Sequence, residues 1–242
     1  MRVLLVHPLF PMTYWGFQHS LAITGKAASL PPLGLITVAA HLPAAWDVRL
    51  ADMNIRPLDD EDLLWADVVL VGGMRIQASS MHEVLARTRA LGRRSVVGGP
   101  AATTSPHEFD DADLVFCGEV EGREALLAEV IESPAGHERR LLASMEALPD
   151  LTNGPVPRFD LLDLSSYASM SIQYSRGCPF TCEFCDIIEM FGRVPRVKSP
   201  DRILAELSAL AALGYRGTLF FVDDNFIGTI REVKKLLPPL TA

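Results

Sequence analysis

The first half of the chain alternates short aliphatic runs with stretches of helical periodicity, and this alternation limits the possible folds more than any other feature. Strands are predicted at Arg2–Val6, Asp47–Ala51, Asp67–Val71, Ser95–Gly98 and Asp113–Cys117. Helices are predicted at Leu33–Leu42, Asp59–Trp65, Ser80–Leu91 and Gly122–Glu132. Strands that alternate with helices form a parallel sheet covered on both faces. The sequence therefore predicts an α/β fold with a doubly wound parallel sheet over residues 1–138.

The composition is that of a globular chain with a sizeable core. Of its 242 residues, 49% are hydrophobic and 21% are charged. A net charge of −8 argues against a nucleic-acid partner, because such proteins usually present a basic face. No apolar run reaches the length of about 18 residues that a transmembrane helix needs, and no signal-peptide pattern precedes the first strand. These features predict a cytoplasmic protein.

Glycines follow three of the predicted strands. They are Gly72 and Gly73 after the third strand, Gly98 and Gly99 after the fourth, and Gly118 after the fifth. Glycine at such positions lets a ligand approach the backbone at the carboxyl edge of a sheet, although a tight strand-to-helix turn explains each pair equally well.

The segment after the first strand disfavours a dinucleotide site, because no Gly-x-Gly-x-x-Gly follows that strand. Residues 7–32 instead predict a long loop that carries Phe10, Tyr14, Trp15 and Phe17. A long aromatic loop in a compact domain is usually functional or mobile.

Three of the four cysteines lie in one short window, at Cys178, Cys182 and Cys185. Three thiolates so placed can bind one cubane iron–sulfur cluster, which then keeps one iron without a protein ligand and open to chemistry. A zinc site would need a fourth ligand, and no histidine lies within about 40 residues of Cys178. Disulfides are disfavoured because the clustered thiols cannot easily pair among themselves. Cys117 ends an apolar run and is predicted to be a small buried hydrophobe.

A second domain is predicted over residues 169–242, after an interdomain linker at residues 139–168. Periodicity fades in the linker and prolines accumulate at Pro149, Pro155 and Pro157. The cysteine window follows the first strand of the second domain, where barrel enzymes keep their chemistry. The predicted elements of this domain are the strands Ser169–Tyr174 and Thr218–Val222 and the helices Pro200–Leu213 and Thr229–Leu240.

The spacing Cys-x3-Cys-x2-Cys, with Phe184 before the last cysteine, resembles the signature of the radical S-adenosylmethionine (SAM) enzymes. The resemblance implies a [4Fe-4S] cluster on Cys178, Cys182 and Cys185, with SAM bound at the open iron. It also implies that Phe184 lies near the adenine of SAM.

The run Asp223, Asp224 and Asn225 falls at the carboxyl end of the predicted strand Thr218–Val222. In the radical SAM family this strand end helps to bind the SAM amino group, so the resemblance makes all three residues candidates for that contact. An Asx-rich turn without function is the alternative interpretation.

The order of the two domains is similar to the cobalamin-binding radical SAM enzymes, in which a Rossmann-like corrinoid domain precedes a (β/α) partial TIM barrel. The runs Leu30-Pro-Pro-Leu-Gly-Leu35, Val71-Gly-Gly-Met74 and Val97-Gly-Gly-Pro100 resemble that N-terminal domain. By this resemblance the cobalamin would be lined by Gly72, Gly73, Met74, Gly98, Gly99 and Pro100.

The lower axial ligand of cobalt is left open. The Asp-x-His-x-x-Gly motif that supplies a histidine in other corrinoid proteins is absent. His7 and His19 could approach the corrinoid from the first loop, and a loop or supporting role is the alternative for each.

Within the subclass, the stretches Cys182–Arg193 and Phe220–Gly228 look like the hopanoid C-2 methylases and their relatives. The implied activity is that of a methyltransferase acting on an unactivated carbon of a lipid-like or other small molecule, with a reductant protein such as flavodoxin or ferredoxin. Residues 169–242 would form only the start of a barrel, so a truncated chain is implied. Two alternatives stay open: an oxidative cyclase of the porphyrin-ring type, and a non-catalytic corrinoid-binding fragment.

Overall fold

The computed structural model describes residues 1–133, 140–142 and 148–241, and its first part is built on one sheet. All neighbouring strands of this sheet are parallel, in the order β2-β1-β3-β4-β5-β6. The strands are β1 Arg2–His7, β2 Asp47–Asp52, β3 Val68–Gly72, β4 Arg94–Gly98, β5 Leu114–Phe116 and β6 Arg140–Leu142. The predicted parallel sheet is thereby confirmed.

A short helix, α1 Gln18–Ile23, lies in the segment after β1, and both faces of the sheet are covered by helices, at α2 Leu33–His41, α3 Asp60–Trp65, α4 Ala78–Ala90, α5 Gly99–Thr104 and α6 Glu124–Glu132. Successive residues of β1 pack in different hydrophobic cores, because their side chains point to opposite faces of the sheet. Leu4 packs in one core with Leu85 of α4, whereas Leu5 packs in the other with Leu35 of α2 and Leu127 of α6. A sheet that is apolar on both faces is what the doubly wound arrangement requires.

The strand order places a crevice between β1 and β3. The chain leaves β1 towards β2 on one side and continues through β3 on the other, so the strand order reverses there. Open α/β sheets bind ligands at the carboxyl ends of the strands that flank such a reversal. In this chain those ends are His7 and Gly72.

Several elements of the structure were not predicted from the sequence. The sheet has a sixth strand, β6, which lies inside the range predicted as linker. A three-residue strand is too short to show a period of two. The predicted loop 7–32 contains α1, and α5 begins at the Gly99-Pro100 pair that resembles a turn signal. The boundary predicted at residue 138 lies outside the described residues, so the domain limits stay a prediction.

The second part begins with a β-α-β unit. Its elements are the strands β7 Ser169–Ile172, β8 Ser175–Arg176, β9 Arg196–Val197 and β10 Thr218–Phe221, and the helices α7 Ile187–Phe191, α8 Pro200–Ala212 and α9 Ile230–Thr241. β7 and β10 are parallel, and β8 and β9 form a short antiparallel ribbon. The four predicted elements are confirmed with slightly shifted ends. The ribbon and α7 were not predicted, because two-residue strands leave no pattern in the sequence.

The two parts share a third core. Ile36 of α2 packs there with Tyr167, with Met170 of β7 and with Ile203 of α8. The backbone continues this contact: Ala28 N donates to Ser166 O at 3.2 Å, and Ala168 N donates to Ala28 O at 2.9 Å. Among the described residues, no helix is long and apolar enough to cross a membrane.

Tyr167 joins the two parts through a buried polar contact, and its loss should destabilise the chain. Its hydroxyl donates to Asp52 Oδ2 at 2.9 Å, and burial beside this carboxylate raises the pKa of the phenol. We expect Tyr167→Phe to lower the free energy of unfolding by about 1–3 kcal/mol, because Asp52 loses a buried donor. Chemical denaturation with urea measures this change.

Tyr215→Phe is the matched control for that variant. The Tyr215 hydroxyl donates to Thr218 O at 2.7 Å near the surface and accepts from Met170 N at 3.2 Å, so its loss affects two neutral backbone groups and no carboxylate. We expect a loss below about 1 kcal/mol. Equal losses in the two variants would contradict a special role for the Tyr167 contact.

Candidate functional site

The six residues predicted to line a corrinoid meet at one edge of the sheet, here called the glycine edge (residues 72–74 and 98–100). Gly72 and Gly98 are register partners at the ends of β3 and β4. Gly99 has φ +83°, and a Cβ there would lie 3.3 Å from the Gly73 carbonyl oxygen. Ala101 N donates to the same oxygen at 3.1 Å. Only glycine suits position 99, because a side chain would be strained and would press on the backbone of Gly73.

Apolar side chains lie exposed around the glycine edge. Met74 is 54% exposed, and Leu9 in the loop after β1 is 48% exposed. Large apolar side chains grouped at the surface usually mark an interaction site. Gly72, Gly98 and Gly99 are half-buried, and glycine backbone flanked by apolar side chains can accept the flat face of a macrocycle, so these residues fit a corrinoid.

A buried glutamine holds the first loop against this edge. Gln77, 1% exposed, donates through Nε2 to Pro8 O at 2.6 Å, and its Oε1 accepts from Met74 N at 2.9 Å. Asn54 Nδ2 donates to the same Pro8 oxygen at 3.1 Å. Sequence reasoning missed both residues. The signal was present for Gln77, because a glutamine three residues after a cap position is part of the capping-box pattern.

Of the two histidines considered for the corrinoid face, only His7 lies at the crevice. It ends β1, the strand that lies beside β3 and Gly72 in the sheet. Burial lowers its pKa, so the imidazole is neutral at pH 7. Its Nδ1 is buried and has no hydrogen-bond partner among the described residues. His19 lies on α1 and is exposed.

Two aspartates fix the backbone that leads into the cysteine window. Asp223 accepts from Tyr174 N at 3.1 Å, from Ser175 Oγ at 2.5 Å and from Ser175 N. Asp224 Oδ2 accepts from Gly177 N at 2.9 Å. Burial raises the pKa of both carboxyl groups, and the backbone donors oppose that rise. The carboxylates therefore hold the start of the cysteine loop, defined here as residues 177–195.

Gly177 and Asn225 bring the loop into close contact with its surroundings. Gly177 has φ +96°, and a Cβ there would lie 2.9 Å from Gly192 O. Cys178 N donates to Gly192 O at 3.2 Å, and Asn225 Nδ2 lies 3.7 Å from Cys178 Sγ. Thus Asn225 contacts a predicted cluster ligand. The contact of Asp223, Asp224 and Asn225 with SAM stays a prediction.

The three clustered cysteines are free thiols on this loop. Cys182 is exposed, whereas Cys178 and Cys185 are half-buried. In the described ranges, no three histidine, cysteine, aspartate or glutamate side chains converge to hold a metal ion. Three accessible thiols on one loop nevertheless fit an iron–sulfur cluster by donor chemistry, so the predicted ligand set stays a prediction. Cys117 is buried, as predicted, and burial raises the pKa of its thiol.

Phe184, predicted to lie near the adenine of SAM, projects from the cysteine loop with 94% of its surface exposed. Phe180 on the same loop is 61% exposed. An aromatic ring with so little packing is available for contact with a ligand or another surface.

Comparison with known proteins then assigns the chain to a family. A B12 binding domain matches residues 22–128, a range that contains the whole glycine edge. The chain is also 39% identical over 241 residues to the hopanoid C-2 methylase of Rhodopseudomonas palustris. The chain belongs to the cobalamin-binding radical SAM family. This assignment confirms the resemblance stated from the sequence.

Other relatives and solved structures extend the match to both parts of the chain. An uncharacterized methyltransferase of Synechocystis is 46% identical over 242 residues. The structure of the cobalamin-dependent radical SAM enzyme OxsB, with aqua-cobalamin and SAM bound, has a TM-score of 0.66 at 18% identity and covers 99% of this chain and 37% of that one. The radical SAM methyltransferase TsrM of Kitasatospora setae has a TM-score of 0.64 at 19% identity and covers 98% of this chain and 50% of that one. The predicted fold class is thereby confirmed.

The chain spans less than half the length of these curated relatives. It covers 46% of the hopanoid C-2 methylase and 45% of the Synechocystis protein, while 99% of its own length is matched in each case. The matched part contains both the glycine edge and the cysteine window.

Proposed function

We propose that this chain binds cobalamin and an iron–sulfur cluster for a radical SAM methyltransferase that acts on an unactivated carbon of a small, lipid-like molecule. One structural observation carries the proposal: the glycine edge and the cysteine loop lie next to each other. Helix α5, which begins in the glycine edge, contacts α7, which follows the cysteine window. Two neighbouring cofactor sites would allow a methyl group to be transferred between them.

In this proposal the glycine edge holds the corrinoid, which supplies a cobalt centre able to carry a methyl group. The half-buried backbone of Gly72, Gly98 and Gly99 would face the ring, and Met74 and Pro100 would flank it, while the buried Gly73 would support this edge from behind. His7 stands at the end of β1 as a neutral imidazole. The lower ligand of cobalt remains open in the proposal.

The cysteine loop, in turn, would supply three thiolates from Cys178, Cys182 and Cys185 to a [4Fe-4S] cluster that binds SAM. Asp224 binds the backbone N–H of Gly177 at the start of the loop, and Asp223 binds the backbone of Tyr174, which precedes the loop. The exposed ring of Phe184 is available to stack on the adenine. A reductant such as flavodoxin or ferredoxin would deliver electrons, and a cytoplasmic location suits such a cluster.

Methyl transfer is favoured over the two alternatives by similarity. The anaerobic magnesium-protoporphyrin IX monomethyl ester cyclase of Synechocystis is 27% identical over 76% of this chain, which is weaker than the match to the hopanoid C-2 methylase. A non-catalytic fragment would not need the cysteine window, yet both aspartates bind the backbone that leads directly into that window.

Anaerobic reconstitution with iron, sulfide and hydroxocobalamin tests the proposal. We expect about four irons and about one cobalamin per chain after desalting, as one cubane cluster and one corrinoid require. Iron without cobalamin would redirect the assignment to radical SAM chemistry without a corrinoid. Uptake of neither cofactor would contradict the proposal.

A pair of glycine variants tests whether cobalamin binds at the glycine edge. Gly99→Ala places a methyl group against the Gly73 backbone, whereas Gly92→Ala, also at positive φ, meets nothing within 4 Å. We expect Gly99→Ala to weaken cobalamin uptake and to leave iron uptake unchanged, because only the first site is distorted. The Gly92→Ala variant should bind both cofactors as the parent chain does. Similar cobalamin uptake in all three chains would place the corrinoid elsewhere.

A further inference from the structure

Glu119 is a buried carboxylate that reaches from the first part of the chain to the second. It follows β5 and is 9% exposed. Its Oε2 accepts from Arg176 Nη1 at 2.6 Å, and its Oε1 accepts from Arg196 Nη2 at 2.6 Å. Arg196 Nη1 also donates to Oε2 at 3.1 Å. One side chain thus binds two arginines of the second part.

These arginines stand at the two ends of the cysteine loop. Arg176 and Arg196 are register partners in the β8–β9 ribbon. The loop between them, residues 177–195, contains all three clustered cysteines and α7. Glu119 therefore closes the base of the loop from outside the domain to which the loop belongs.

Other polar groups also bind both guanidinium groups, although Arg196 Nε is buried without a hydrogen-bond partner among the described residues. Arg176 also pairs with Glu121 at 2.9 Å and donates through Nε to Gln173 Oε1 at 2.8 Å. Arg196 donates to Pro149 O at 2.8 Å. Both arginine side chains are largely buried, so removing Glu119 would deprive Arg196 of the carboxylate that binds it at 2.6 Å and leave Arg176 paired with Glu121.

The location of this network indicates a role beyond stabilising the fold. A buried ion pair often gives little net stabilisation compared with apolar residues of the same volume. The two-nitrogen fork of Arg196 and the single bond from Arg176 do, however, fix geometry, because the planar guanidinium binds carboxylate oxygens in defined directions. What is fixed here is the orientation of the cysteine loop relative to β5, whose neighbour β4 ends in the glycine edge.

We propose that Glu119 is a positioning residue that, through Arg176 and Arg196, sets the separation between the cluster and the cobalamin. The proposal rests on the proposed function for the presence of the two cofactors. The carboxylate contacts neither cofactor and acts through the two arginines.

Glu119→Gln tests the role of this carboxylate, because it keeps the shape of the side chain and removes its charge. The control is Asp67→Asn, since the Asp67 carboxylate accepts from Arg2 N and Arg2 Nη2, each at 2.8 Å, at the opposite end of the sheet. The first measurement is hydrogen–deuterium exchange of the chain without cofactors. We expect exchange within residues 177–195 to be about tenfold faster in Glu119→Gln and unchanged in Asp67→Asn, because local opening of the loop becomes easier.

The second measurement follows the electron paramagnetic resonance of cob(II)alamin beside the reduced cluster. A nearby paramagnetic cluster shortens the relaxation time of the cobalt signal, and the effect falls steeply with distance. We expect fast relaxation in the parent chain and in Asp67→Asn, and slow relaxation in Glu119→Gln with both cofactors still bound. Unchanged relaxation in Glu119→Gln would overturn the proposal even if exchange in the loop had increased.

The experiment also distinguishes failure of the variant to fold from failure of the chain to bind its cofactors. If Glu119→Gln does not fold, Arg196→Lys is tested instead, because lysine keeps the positive charge and loses the two-nitrogen fork. We then expect slow relaxation of the cobalt signal in Arg196→Lys. Relaxation as fast as in the parent chain would count against the proposal. If the parent chain binds no cofactor pair, the proposed function fails, and unchanged exchange in Glu119→Gln would show independently that Glu119 does not hold the loop.

Discussion

Replacing Cys178, Cys182 or Cys185 with alanine is expected to abolish iron binding by the reconstituted chain. Each residue would supply one thiolate, and a cubane cluster that already has only three protein ligands has none to spare. No other cysteine is near enough in sequence to substitute, since Cys117 is buried in the core of the first part. Iron and sulfide quantification, with the absorption spectrum, measures the effect.

Cys117→Ala is the control for these three variants. Its thiol donates to Ala102 O at 3.4 Å inside the core, so the change removes a small packed group and no side-chain contact to the cysteine loop. We expect a loss of about 1 kcal/mol in the free energy of unfolding and no loss of iron. Equal loss of iron in all four variants would contradict the assignment of ligands.

The sheet could be predicted from the sequence because its signals are local. Each run such as Val68–Gly72 carries its own hydrophobic pattern, and the glycines after β3 and β4 mark where the strands end. The cysteine window is just as local, since three ligand-type residues within one loop can be recognised without any knowledge of the fold. Strand β6 shows the limit, because three residues carry no periodicity.

The contacts that orient the site could not be predicted, because they join residues far apart in the chain. Glu119 lies 57 positions before Arg176 and 77 before Arg196. A charged residue is predicted to face solvent unless its partner is known. Asp223 is an intermediate case: its place at a strand end was predicted, but its bonds to Tyr174 and Ser175 depend on the parallel pairing of β7 with β10.

Gly177→Ala is expected to remove the cluster while leaving the first part of the chain able to bind cobalamin. At φ +96° an alanine carries the left-handed penalty of about 1–2 kcal/mol. Its Cβ would also lie 2.9 Å from Gly192 O, 3.0 Å from Phe191 O and 3.3 Å from Val194 O, all of them backbone atoms that cannot rotate away. The loop must therefore shift at the residue before Cys178.

Gly214→Ala separates the effect of crowding from the effect of strain. Gly214 lies just after the C-cap of α8 at φ +83° and has nothing within 4 Å of its Cβ position, so alanine there carries the same backbone penalty without a clash. We expect Gly214→Ala to lower the unfolding temperature and to bind iron fully, and Gly177→Ala to lose iron with cobalamin uptake unchanged. If both variants bound iron equally well, close approach at Gly177 would not be needed, and the cysteine loop would have to form the cluster site in another conformation.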